Sequence, residues 1–90
     1  MYLHLGQDTI VKKEEIVGIY DMDTSTISKW SRDYLSKAEK EKRVVNVSFE
    51  LPKSYVVCKG KGDNKERVYI CPLSSQTLLK RMVNDSLFSE

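Results

Sequence analysis

Hydrophobic and polar residues alternate with two different rhythms along this chain, and the rhythm changes mark its elements. Tyr2, Leu3, His4 and Leu5 stop at Gly6, and Thr9, Ile10 and Val11 resume after a Gln7–Asp8 turn, which predicts a small hairpin. Lys12 to Glu15 is a charged break. Ile16 to Tyr20 is a β-rich run with an internal glycine, ending at Asp21, and reads as a strand. From Asp23 to Arg43 the period lengthens. Ile27, Trp30, Tyr34, Leu35 and Ala38 fall on one face of a helix, with Asp23, Thr24 and Ser25 as candidate caps. Asp33–Lys37 and Glu39–Arg43 stand four apart, acid before base, and Lys37, Lys40, Lys42 and Arg43 suit the negative end of the helix dipole.

Period two then returns. Val45, Val47 and Phe49 alternate with Asn46 and Ser48, which predicts a half-buried strand over Val44 to Phe49. Leu51–Pro52 marks a bend. Ser54 to Cys58 and Arg67 to Cys71 read as a hairpin around an exposed loop containing Gly60, Gly62, Asp63 and Asn64. Ser74 or Ser75 starts a second, shorter helix ending near Val83, with Leu78, Leu79 and Met82 as its buried residues. The expected architecture is α+β: a small antiparallel or mixed sheet with one long and one short helix. Residues 1–83 form one domain, and 84–90 a flexible C-terminal tail.

Composition narrows the function classes. Ninety residues with 31% charged and 40% hydrophobic residues make one soluble domain with a modest core, for which assembly into a homo-oligomer is an ordinary source of further buried surface. No apolar run spans a bilayer, and the start of the chain has no signal-peptide pattern. The two cysteines are too far apart to suggest a secreted disulfide framework. A cytoplasmic location follows as the expectation, with Cys58 and Cys71 as reduced thiols that could face each other across the second hairpin.

Catalysis finds little footing. His4 is the single histidine, with no nucleophile or orienting acid beside it, and reads as structural or surface. The cysteines lack companion ligands at metal-like spacing, so no metal or cofactor is expected. Lys59-Gly60-Lys61-Gly62 lacks the strand–loop–helix context and the Gly-Lys-Ser/Thr ending of a phosphate loop. Ser25 to Arg32 has the look of a recognition helix, but the preceding segment reads as a strand, which argues against a helix-turn-helix.

Binding is better supported. Net charge is only +2, yet Lys59, Lys61, Lys65 and Arg67 are dense in one loop, and Lys80–Arg81 follow the Leu78–Leu79 pair. Lys53 adds charge just after the bend. These seven residues are the candidate phosphate contacts. One copy carries too little charge for tight binding, whereas an assembly would repeat every contact.

Four segments together resemble the RemA/RemB family of bacterial extracellular-matrix regulators, the RemB branch more closely. They are Met-Tyr-Leu-His-Leu-Gly (Met1–Gly6), Glu-Ile-Val-Gly-Ile-Tyr-Asp (Glu15–Asp21), Leu-Pro-Lys-Ser-Tyr-Val-Val (Leu51–Val57) and Pro-Leu-Ser-Ser-Gln-Thr-Leu-Leu-Lys-Arg (Pro72–Arg81). The resemblance implies a cytoplasmic, non-enzymatic regulator that forms ring-like homo-oligomers, binds double-stranded DNA and promotes matrix and biofilm genes. Arg81 falls on the position of a DNA-contacting arginine in RemA-type members. The arginine pair that such members carry at the bend is replaced by Leu51–Pro52, with Lys53 as the substitute, and a further arginine is replaced near Glu15. The rival reading is an oligomeric protein-interaction module without direct DNA binding.

Overall fold

A computed structural model describes residues 1–22 and 29–84, and gives the backbone alone for residues 29–31 and 84. Strands β1 (Tyr2–Gly6) and β2 (Thr9–Lys12) form the expected hairpin, with Gly6 and Gln7 at positive φ in the turn. A 3₁₀ turn over Lys13–Glu15 leads into β3 (Ile16–Asp21). Helix α1 (Lys29–Lys40), β4 (Val44–Asn46), β5 (Ser54–Cys58), β6 (Arg67–Cys71) and α2 (Ser75–Asn84) follow. The four later strands form a mixed sheet in the order β3-β5-β6-β4. The β3–β5 and β5–β6 pairs are antiparallel, and β4 runs parallel to β6.

Every residue of β5 is buried, because both faces of the sheet are covered. On one face Val56, Cys58, Tyr69 and Cys71 pack with Leu3, Leu5 and Val11 of the hairpin, with Val47, and with Leu78 of α2. On the other face Tyr55, Val57 and Val68 pack against Ala38 of α1, with Tyr34 and Leu35 beside it. The buried Ser54 hydroxyl donates to the Leu73 carbonyl at 2.7 Å, which satisfies it away from water.

Five expectations need correction. The helix ends at Lys40 rather than Arg43, in a Schellman turn. The Arg43 N–H donates to Ala38 O at 2.9 Å, and the Lys42 N–H to Glu39 O at 3.0 Å, with Lys42 at φ 60. Lysine there occupies the left-handed position that glycine holds at least strain, so Lys42→Gly is expected to raise stability by about 0.5–1 kcal/mol in a chemical melt. Neither four-apart ion pair closes. Arg43 turns instead to Glu41, at 2.8 Å. The capping residues Asp23 to Ser25, Ile27 and the Trp30 side chain lie outside the described residues.

The strand expected over Val44–Phe49 covers only Val44–Asn46. Val47 still donates to Ile70 O at 3.0 Å and is buried, but the chain must then cross the end of β6 to reach the start of β5. The Glu50 N–H donates to Ser48 Oγ at 2.9 Å, which turns the chain and leaves Phe49 and Leu51 in water.

Helix α2 starts as expected, with the Ser74 hydroxyl accepting the Thr77 N–H at 3.1 Å. Its buried stripe is Leu78 with Met82 beside it. Leu79 lies one step around the helix and is exposed. Finally, Cys58 and Cys71 do not sit across from each other. Cys58 is opposite Arg67 and Cys71 opposite Ser54, at the two ends of the hairpin.

Candidate functional site

The seven candidate cations divide into three groups. Lys53 stands exposed where the chain enters β5. Its backbone is pinned, its N–H donating to Cys71 O at 2.8 Å and its carbonyl accepting from Met22 at 2.9 Å. At the other end of β5, the Lys59 N–H donates to Glu15 O at 2.8 Å, joining the loop to the 3₁₀ turn. The loop is closed by Gly60 and Asp63, whose Oδ2 accepts the Gly60 N–H at 2.8 Å. Lys59, Gly60 and Lys61 then line a cleft of about 410 Å³ with Lys12, Glu14 and Glu15. Lys12 is a cation of this group that sequence reasoning missed. It became visible only when the β2 end was brought beside the loop.

Lys65 and Arg67 belong to the same loop but are held by acids. Lys65 Nζ lies 3.1 Å from Glu41 Oε2, and Arg67 Nη2 lies 3.0 Å from Glu15 Oε1. Arg67 Nε is a further 3.9 Å from Asp63, and its guanidinium lies over the Tyr69 ring at 5.8 Å. Glu41 is shared, since Arg43 Nε also reaches it. The hydrogen bonds from Lys65 and Arg43 hold the Glu41 carboxyl below its ordinary pKa, so it stays ionised and keeps both cations neutralised.

The third group is on α2. Lys80 is exposed and makes no hydrogen bond or ion pair among the described residues. Arg81 is exposed too, with Nη1 donating to His4 O at 3.1 Å, which ties α2 to β1. Lys13 Nζ donates to Arg81 O at 3.2 Å and Met82 O at 2.7 Å, satisfying carbonyls of the last turn. His4 bonds through its ring to Gln7 O at 2.7 Å, a structural contact.

Among the described residues these candidate cations therefore form no continuous patch. Lys53 is at one end of the sheet, Lys59 and Lys61 are at the other, and Lys80–Arg81 are on the helix. Among the described residues no cluster of three His, Cys, Asp or Glu side chains is placed to hold a metal ion, and no helix is long and apolar enough to cross a membrane.

The described residues form a small α+β domain with two helices and with exposed cations on its surface. The profile of the RemA-like family, described as Extracellular matrix regulatory protein A-like, matches residues 2–82. The chain belongs to this regulatory, non-enzymatic family. It is 41% identical over 81 residues to Extracellular matrix regulatory protein B of Bacillus subtilis (strain 168), covering 90% of this chain and 89% of that protein.

Proposed function

We propose that this protein is a cytoplasmic, oligomeric DNA-binding transcriptional regulator that promotes extracellular-matrix and biofilm genes. Its similarity to Extracellular matrix regulatory protein B over nearly the full length of both chains supports the matrix-regulatory part. The observation that carries the DNA-binding part is the set of exposed cations left without an acidic partner, Lys53, Lys59, Lys61 and Lys80, together with Arg81. Such groups suit phosphate oxygens, and repeated over an assembly they add to an affinity that one copy lacks. Contacts of this kind position the protein, and selectivity then comes from DNA shape or from the spacing of copies.

The second reading, an oligomeric protein-interaction module without direct DNA binding, is favoured by one observation. Lys65 and Arg67 are already neutralised by Glu41, Glu15 and Asp63.

Titration of duplex DNA across a salt series separates the two. Affinity is expected to fall steeply with salt. Lys59→Gln and Lys61→Gln should each weaken binding and reduce the salt slope by roughly one. Arg81→Ala should weaken binding broadly without unfolding the chain, whereas Lys65→Gln should change affinity less than about twofold. Absence of salt-sensitive binding by the folded protein at low salt would transfer the function to a protein partner.

A further inference from the structure

The first hairpin turns two rings and a base outward. Alternation along β1 buries Leu3 and Leu5 and leaves Tyr2 and His4 in water, and β2 repeats the pattern with Val11 inside and Ile10 and Lys12 outside. The register sets Tyr2 opposite Lys12 and His4 opposite Ile10, so the four side chains make one outer face. Tyr2 is 61% and Ile10 58% exposed, so no described element covers that face.

The rings are placed by the backbone beneath them. Two residues of strand set their positions about 7 Å apart. The His4 ring nitrogen donates to Gln7 O at 2.7 Å, a bond made in the plane of the imidazole that does not use its faces. Cations border both rings. Lys12 is exposed across from Tyr2 and makes no hydrogen bond or ion pair among the described residues. Arg81 reaches in from α2, with Nη1 donating to His4 O at 3.1 Å. A guanidinium that gives one N–H to a carbonyl keeps its charge and four further donors. None of the outward side chains of this face is acidic. The acids that flank the hairpin in sequence are Asp8, in the turn, and Glu14, which lies 3.7 Å from the Met1 ammonium.

We propose that this face is a platform for a single-stranded nucleic acid, with bases stacked on Tyr2 and His4 and phosphates met by Lys12 and Arg81. The rings select a single strand. Unpaired bases offer their faces to a side chain, whereas the bases of a duplex are already stacked on one another. Ile10, opposite His4, extends the apolar floor. Charge complementarity selects a polyanion, because two cations border the rings and no acid stands among them. An acidic peptide would satisfy the cations and leave the rings unused. The platform goes beyond the duplex-binding reading and does not rest on it. Arg81 serves both ligands, while the other duplex candidates lie at the two ends of β5 and at Lys80.

Fluorescence anisotropy of short labelled oligo(U) and oligo(dT) strands, and of a duplex of equal length, tests the platform on the full chain. Circular dichroism confirms folding. The wild type is expected to bind both single strands, with affinity that falls as salt rises. Tyr2→Ala should weaken single-strand binding by about 5-fold to 100-fold, the loss of one stacked base, and leave duplex binding within about twofold. Tyr2→Phe keeps the ring and should bind as the wild type does. Lys12→Gln should reduce the single-strand salt slope by about 0.7. On the wild type itself, photocrosslinking of oligo(U) containing 4-thiouridine should label the peptide that carries Tyr2 and His4. No single-strand binding by the folded wild type, a folded Tyr2→Ala variant that binds single strands as the wild type does, equal weakening of single-strand and duplex binding by Tyr2→Ala, or crosslinks confined to segments outside the first hairpin would overturn the platform. The same titrations separate the two readings. Single-strand binding without duplex binding would keep the platform and remove the duplex role, and duplex binding alone would do the reverse.

Discussion

Leu78→Ala is expected to destabilise the domain by about 2–5 kcal/mol. Leu78 is fully buried and lies at the centre of the core that joins α2 to the first hairpin and the sheet, in one cluster with Leu3, Leu5, Val56, Cys58, Tyr69 and Cys71. Truncation to alanine removes three carbons from that cluster, at about 0.8 kcal/mol for each buried methylene. A cavity term adds to this. The sheet beneath is held by antiparallel hydrogen bonds on both sides of β5, and the hairpin by its own ladder, so neither can settle into the space. In a domain of this size each kcal/mol is worth about 4–8 °C, so the melting temperature should fall by roughly 10 °C or more. Leu79→Ala, one residue on, is the control and should stay within about 0.5 kcal/mol. Equal losses at the two positions would mean that α2 presents a different face to the core.

The contrast between Leu78 and Leu79 also marks where the sequence stopped being informative. Elements that depend on local chemistry were legible. The Gln7–Asp8 turn, the glycine-rich loop before Arg67 and the Ser74 cap each place their signal within a few residues of the structure they produce. The four segments that resembled the RemA/RemB family lie almost wholly inside the matched span of residues 2–82, so family membership was legible as well. Features set by distant partners were not. Alternation through Phe49 suggested a longer strand, but the need to cross the end of β6 and begin β5 decided where β4 stops. The helix pattern ran on to Arg43 because its residue types suit a helix, yet backbone bonds to Ala38 and Glu39 close the last turn earlier. In the candidate site, the cations were readable as types and positions. Their neutralisation was not, since Lys65 meets an acid 24 residues away and Arg67 one 52 residues away. Neither separation leaves a trace in periodicity or composition.

Cys58 and Cys71 are expected to resist alkylation in the folded protein and to tie its stability to alkaline pH. Both thiols have no exposed surface and are free of any disulfide. Burial pushes the Cys58 thiol up to about 11, with Arg67 opposing the shift and Glu15 adding to it. Burial pushes Cys71 up to about 12, and Cys58 adds to it. The reactive thiolate is therefore scarce at pH 8, and reagent must wait for the core to open. A stability of only 5 kcal/mol would slow labelling by roughly 10³-fold to 10⁴-fold relative to the unfolded chain. The same shifts fix the direction of the pH dependence. In the unfolded chain these thiols ionise near pH 8.5–9, and in the fold they do so later. Their contribution is complete below the unfolded pKa and is lost as pH rises toward 11 and 12. Unfolding free energy should hold its level, as far as the thiols govern it, up to about pH 8. By pH 10 it should fall by roughly 3 kcal/mol. Tyr34 and Tyr69, also raised by burial, extend the loss at higher pH, so the interval from pH 9 to 10 isolates the cysteines. Denaturant melts of the wild type and of a Cys58→Ala/Cys71→Ala variant across that interval provide the check. The variant should be less stable throughout, yet lack the slope. Labelling of the folded protein as fast as the unfolded chain, or an unchanged slope in the double variant, would show that the two thiols are not sealed in the core.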